Sequence, residues 1–154
     1  TAVEKVRAHP LFRALRVDKV NLTLLEATLG LYRNPEKVQE NIPILRMLSL
    51  PAQELKARAD AFAADLGNDT GRLDLEVVES SAQTGSGSLP DQAIPSWALA
   101  LEHSELNPRK LSEALRSANP PVFTRVHGDR VLVDFRTLLD GDEEDLARIL
   151  KRLV

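Results

Sequence analysis

From Ala2 to Leu66 the apolar residues recur at helical spacing, and from Arg72 onward the period shortens to two in several places. "AVEKVRAH" reads as a running helix, and in "HPLFRALRVDK" Arg13 and Arg16 stand one helical turn apart, on one face. Asp18 or Asn21 caps the next helix, which runs to about Tyr32 with Leu22, Leu25, Leu29 and Tyr32 on one stripe. "RNP" ends it and starts another, with Asn34 as N-cap and Pro35 in the first turn. "IPILRMLSLP" reads as an apolar connector between Pro43 and Pro51. A longer helix follows over Ala52 to Leu66, carrying Leu55, Ala59, Phe62 and Leu66, with Gly67 as its stop.

Beyond Gly67 the pattern is mixed. "RLDLEVVE" alternates Leu73, Leu75 and Val77 with Asp74 and Glu76, the signature of a half-buried strand. A loop rich in Ser, Gly and Gln spans Ser80 to Pro95, and "SWALALEH" is a second strand. "NPRKLSEALRSANPP" is a short helix capped by Asn107, started by Pro108 and stopped by Pro120. "VFTRVHGDRVLVDF" is a hairpin about His127-Gly128-Asp129. "GDEEDLARILKRLV" closes as an amphipathic helix with Asp142 as cap, acids in its first turn and bases in its last. The fold class is therefore α+β. A helical region, residues 1–67, precedes a small β-β-α-β-β-α domain, residues 68–154, whose helices cover one face of the sheet.

The composition is that of a globular chain of 154 residues, 43% apolar and 28% charged. No apolar run approaches the roughly 20 residues that span a bilayer, so no membrane role is expected. Cysteine is absent, which excludes disulfides and thiolate chemistry and suits a cytoplasmic setting. The net charge of −3 is uneven, with +3 over residues 1–19 and −6 over the remainder. That asymmetry fits a local anion site better than a broad nucleic-acid face.

Among chemistry-bearing residues, Arg13 and Arg16 stand out. Two guanidiniums on one face form a fork that matches a phosphate-like dianion, although a solvated basic face is the blander account. His9, His103 and His127 lack metal-ligand spacing, and Asp140 to Asp145 lack the pattern of a calcium loop, so no metal is expected. No catalytic acid–base pair can be picked out. The "TGSGSLP" loop, Thr84 to Pro90, has the glycines of an anion-binding turn but lacks the lysine of a P-loop. Trp97 reads as a core residue.

The order "HPLFRALRVDK", "TLLEATLGLY", "IPILRMLSLP", "GSGSLP", "LPDQAIPSWALAL" and "VFTRVHGDRVLVDFRTL" resembles the C-terminal portion of the bacterial selenocysteine synthases. The resemblance covers nearly the whole chain, the "HPLxRAxRxDK" segment being the most specific part. It implies a fold-type-I pyridoxal-phosphate enzyme that converts seryl-tRNA(Sec) to selenocysteinyl-tRNA(Sec) with selenophosphate. It implies that Arg13 and Arg16 bind the phosphate-like group of the selenium donor. The family's Schiff-base lysine lies in an upstream "GDKLLGGPQAG"-like segment, which has no counterpart among the contexts of Lys5, Lys19, Lys37, Lys56, Lys110 and Lys151. The chain then reads as a fragment, beginning at Thr1 inside a helix, inactive by itself and binding no pyridoxal phosphate of its own. The parent would be a cytoplasmic ring of dimers. Apolar residues from Ile42 to Leu50 would lack their partners in the fragment, and dimerisation is one way to cover them. A stand-alone interaction or RNA-binding module sharing the small-domain fold is the alternative. In the parent, tRNA would be bound mainly by other parts, and any contact made here would be modest, from arginines such as Arg125, Arg130 and Arg136 along the hairpin.

Overall fold

The computed structural model describes residues 1–67, 71–84 and 93–153. They form two compact units, residues 1–46 and 47–154. The first unit ends at Arg46, and the helix that stops at Gly67 belongs to the second, because it buries its apolar stripe on the sheet.

In the first unit, α1 (Ala2–Ala8) is followed by a single 3-10 turn, Pro10–Arg13, then α2 (Lys19–Leu31) and the short α3 (Val38–Asn41). The helical spacing expected of Arg13 and Arg16 in "HPLFRALRVDK" is not kept as a helix. Pro10 cannot donate a backbone hydrogen bond, so the chain leaves α1 at His9 and restarts. Asp18, one of the two expected caps, does cap α2: its carboxylate accepts from the Asn21 amide at 2.9 Å. Asn34 does not open a helix. Residues 35–37 form a turn, and α3 begins only at Val38. Within this unit Ile42 is the single buried hydrophobic residue among those described.

The expected connector between Pro43 and Pro51 is a helix, α4 (Pro43–Ser49). Pro43 sits at its first position, where a missing N–H costs nothing. Helix α5 (Ala52–Leu66) matches the expected bounds, buries Leu55, Ala59, Phe62 and Leu66, and ends at Gly67 with φ 71°. Glycine alone enters that left-handed region without strain.

Four antiparallel strands follow: β1 (Leu73–Ala82), β2 (Ile94–His103), β3 (Arg125–His127) and β4 (Arg130–Asp134), in spatial order β1-β2-β4-β3. Strands β1 and β2 pair from Leu73↔His103 to Ala82↔Ile94, so the sheet extends through Ser80 to Ala82, residues expected in the loop. Most of the "TGSGSLP" loop, from Gly85 on, lies outside the described residues. Alternation along each strand sends Leu73, Leu99, Leu101, Val131 and Val133 to one face. There they meet α5, α6 (Pro108–Arg116) and α7 (Asp142–Leu150) in a single core. Phe62 of α5 and Phe135, just past β4, meet edge to face at 5.6 Å. Trp97 packs partly buried against the same core, with the Lys56 ammonium 4.9 Å above its ring. Asn107 caps α6 as expected, accepting from the Lys110 amide at 2.9 Å. Asp142 does not cap α7. Gly141, with φ 92°, holds that position, and Asp142 instead accepts from the Leu139 amide at 2.8 Å.

Candidate functional site

The two arginines singled out in the sequence flank a turn rather than share a helical face. His9 starts the turn by accepting the Leu11 amide on Nδ1 at 3.2 Å, and Arg13 closes the 3-10 segment. Arg16 follows in non-helical chain just before the α2 cap. Both are exposed, and among the described residues neither makes a hydrogen bond or an ion pair. The neighbours that look ready for burial are exposed as well, Leu15 at 79% and Leu11 at 62%. Asp18 makes no bond to either guanidinium; its two oxygens accept from Asn21, at 2.9 and 2.6 Å. Those bonds, the backbone one foremost, hold the Asp18 carboxyl below its ordinary value. The segment therefore offers two always-charged forks with no internal counter-ion, a chemistry suited to a multiply charged oxyanion.

Arginines of the second unit behave differently. Arg58 bonds Glu143 at 2.5 Å and thereby ties α5 to α7. Arg130 bridges Glu76 at 2.5 Å and Glu102 at 2.6 Å on the open face of the sheet, and the bond to Glu76, foremost, raises its pKa. Arg125 donates to Ser80 Oγ at 2.6 Å, to Asp134 at 3.2 Å and to the Ser81 carbonyl at 3.0 Å. Arg136, 3% exposed, donates to the carbonyls of Met47 (2.7 Å), Leu50 (2.8 Å) and Pro95 (2.6 Å). Burial pushes the Arg136 pKa down, against the opposing pull of Asp134. All three hairpin arginines expected to face RNA are thus committed to internal partners.

Sequence reading did not find the polar cluster on the open sheet face. Asp134 accepts from Ser96 Oγ at 2.6 Å and Ser80 Oγ at 3.2 Å, and the Arg125 guanidinium completes the group. The available signal was an acid and a base on adjacent strands of one hairpin, but their serine partners come from β1 and β2. His103 is structural. Its Nδ1 accepts the amides of Glu105 (3.0 Å) and Leu106 (3.1 Å), so the proton sits on Nε2, which donates to the Leu153 carbonyl at 3.2 Å. Among the described residues no group of His, Asp or Glu side chains is placed to hold a metal ion, and no helix is long and apolar enough to cross a membrane.

Comparison with known proteins decides what the arginine segment belongs to. The family model for L-seryl-tRNA selenium transferase matches residues 1–139. The chain belongs to that family. It is 43% identical over 151 residues to the L-seryl-tRNA(Sec) selenium transferase of Hyphomonas neptunium, covering 98% of this chain and 32% of the relative. It is 42% identical over 149 residues to the Moorella thermoacetica protein of the same name, covering 96% and 32%. It is 37% identical over 152 residues to that of Aquifex aeolicus, covering 99% and 33%. The chain therefore spans about a third of the length of the curated selenium transferases it matches.

Proposed function

We propose that this chain is the C-terminal part of an enzyme that converts seryl-tRNA(Sec) to selenocysteinyl-tRNA(Sec) with selenophosphate, and that Arg13 and Arg16 hold the donor's phosphate-like group. One observation carries the reading: Arg13 and Arg16 stand exposed three residues apart, with no hydrogen bond or ion pair among the described residues, in the segment that matches the family. Two guanidiniums neutralise a dianion, orient it by charge-assisted hydrogen bonds, and stay protonated in a site where a free amine would compete for a carbonyl. The parent assembles with copies of itself in this reading, and the 154-residue chain alone transfers no selenium.

The enzyme's pyridoxal phosphate would supply the electron sink for the chemistry at serine, but the residues of this chain do not fit it. All six lysines, Lys5, Lys19, Lys37, Lys56, Lys110 and Lys151, are exposed, and the largest of the described cavities is lined by Leu22, Leu25, Glu26, Leu29, Gly30 and Arg33 without a lysine. A Schiff-base lysine needs a seat that excludes water. The group then belongs to residues outside this chain, and no step is derived through it.

In the whole enzyme, Arg13→Ala or Arg16→Ala should raise the selenophosphate requirement and cost on the order of 2–4 kcal/mol in kcat/KM for the donor. Seryl-tRNA binding should hardly change. Normal turnover of either variant at limiting selenophosphate would rule the clamp out. For RNA, the 154-residue chain should bind tRNA(Sec) no tighter than about 10⁻⁵ M at physiological salt, the range of non-specific contacts. Submicromolar, tRNA(Sec)-selective binding in a fluorescence titration would replace the fragment reading with a stand-alone RNA-binding module.

A further inference from the structure

Helix α2 (Lys19–Leu31) is apolar on two opposite sides, and its own unit covers neither. At 100° per residue, Val20, Leu24, Ala27 and Leu31 form one stripe, and Leu22, Leu25, Leu29 and Tyr32 the other. Every residue of the helix is exposed, Leu24 at 60% and Leu29 at 56%. The threonines between the stripes do not make a hydrophilic face. Thr23 and Thr28 donate their hydroxyls to the carbonyls of Lys19 (2.9 Å) and Leu24 (2.8 Å), which spends the polar group on the helix itself. A helix with one apolar stripe lies on a surface, whereas a second stripe on the opposite side, with only Lys19, Asn21 and Glu26 as charged or amide residues between them, asks for a second cover.

Gly30 gives a second, independent observation. It lies within the helix, its φ is not positive, and glycine weakens a helix relative to alanine. A Cβ added there would meet nothing within 4 Å among the described residues, so nothing in its own unit requires the small residue. Gly30 borders a shallow groove of about 580 Å³ formed with Leu22, Leu25 and Leu29 and edged by Glu26 and Arg33. The missing side chain leaves room for a backbone that its own unit does not supply.

We propose that α2 is an internal layer of the whole family protein, covered on both stripes by the polypeptide this chain does not span, one segment of which seats its backbone in the groove at Gly30. The relatives supply the length, since this chain spans only 32–33% of them. A second copy is the poorer occupant, because two α2 helices packed face to face bury one stripe each and leave the other bare. The inference rests on reading this chain as part of a longer selenium transferase.

The test is hydrogen exchange read by mass spectrometry on two proteins. One is the 154-residue chain. The other joins to it the portion of the Hyphomonas neptunium relative that lies outside the match. Protection of β2 in the same run reports that the joined protein is folded; if it is not, the intact Hyphomonas relative is read over its matching helix. The amides of α2 should exchange freely in the 154-residue chain at every concentration and at least 100-fold more slowly in the joined protein. Leu24→Gln and Leu29→Gln, one on each stripe, should each speed that exchange at least 10-fold in the joined protein and leave the shorter chain unchanged. Gly30→Ala should act with opposite signs, slowing α2 exchange in the shorter chain and speeding it in the joined one. Equal exchange in the two proteins overturns the inference, as does sensitivity to only one stripe. Protection that grows with concentration in the shorter chain and vanishes with Leu29→Gln assigns the face to a second copy instead. Selenium transfer by the joined protein is measured alongside. A protected α2 without transfer overturns the functional reading and leaves the buried layer standing, whereas transfer with freely exchanging α2 overturns the buried layer alone.

Discussion

Residues 1–46 and 47–154 are both rich in leucine and arginine and use them in opposite ways. In the second unit, Leu99, Leu101, Leu111, Leu115 and Leu146 are buried in one core, and Arg58, Arg130 and Arg136 are held by carboxylates or carbonyls. In the first, Leu22, Leu24, Leu25 and Leu29 lie exposed, and Arg13 and Arg16 have no partner among the described residues. The difference separates two uses of the same side chains. The second unit satisfies itself and is a domain in the physical sense. The first offers apolar area and positive charge that its own described residues do not satisfy, and the binding residues proposed above belong to it.

The sharpest way to break this comparison is to remove apolar volume from both units. Phe135→Ala should destabilise the chain by about 3–5 kcal/mol, because it empties the centre of the core and removes the edge-to-face contact with Phe62. Leu29→Ala should change stability by less than about 0.5 kcal/mol in the same denaturant titration, followed by Trp97 fluorescence. Equal losses would mean that the first unit has a core of its own.

A smaller effect separates the two kinds of arginine. Arg136→Met should cost about 2 kcal/mol, since it leaves the carbonyls of Met47, Leu50 and Pro95 without their shared donor. Arg136→Lys should recover only part of it, as one ammonium cannot reproduce the planar fork. Arg13→Ala should leave the melting temperature of the 154-residue chain unchanged. A Tm loss from Arg13→Ala as large as that from Arg136→Met would show that Arg13 is structural.

The smallest effect is one of pH at the start of α2. Asn21 holds the Asp18 carboxyl below its ordinary value of 3.8, so the charged cap stabilises the folded form. A depressed folded pKa gives a contribution that is complete above that ordinary value and is lost as the pH falls below it through the folded one. Circular dichroism of the 154-residue chain should therefore show helix content falling in that acid window. Asp18→Asn keeps a good capping side chain and should flatten the response. An identical acid profile for both proteins would mean that Asp18 does not hold the helix start.

Local chemistry was legible along the chain. The stripe Leu55, Ala59, Phe62 and Leu66 with its glycine stop, the Asn107-Pro108 start of α6 and the alternation in β4 and the first half of β1 depend on neighbours a few residues away, and each formed as the spacing predicts. Caps were less legible where two candidates adjoin. Gly141 rather than Asp142 starts α7, because Asp142 bonds back to Leu139. Arg13 and Arg16 could be picked out as a pair, but not their placement about a turn, which Pro10 and the Asp18 cap impose together.

Tertiary structure alone decided which of these side chains are spent. Nothing near Arg136 in the sequence marks it for burial, since the carbonyls it binds lie 41 to 89 residues away. The serines of the Asp134 cluster likewise arrive from β1 and β2 through strand pairing. The sequence by itself determined the periodicities, the stops and the family signature, because those are written in short-range spacing. Whether a leucine or an arginine finds a partner is settled by contacts between distant segments, and for α2 no such contact within its own unit covers either stripe.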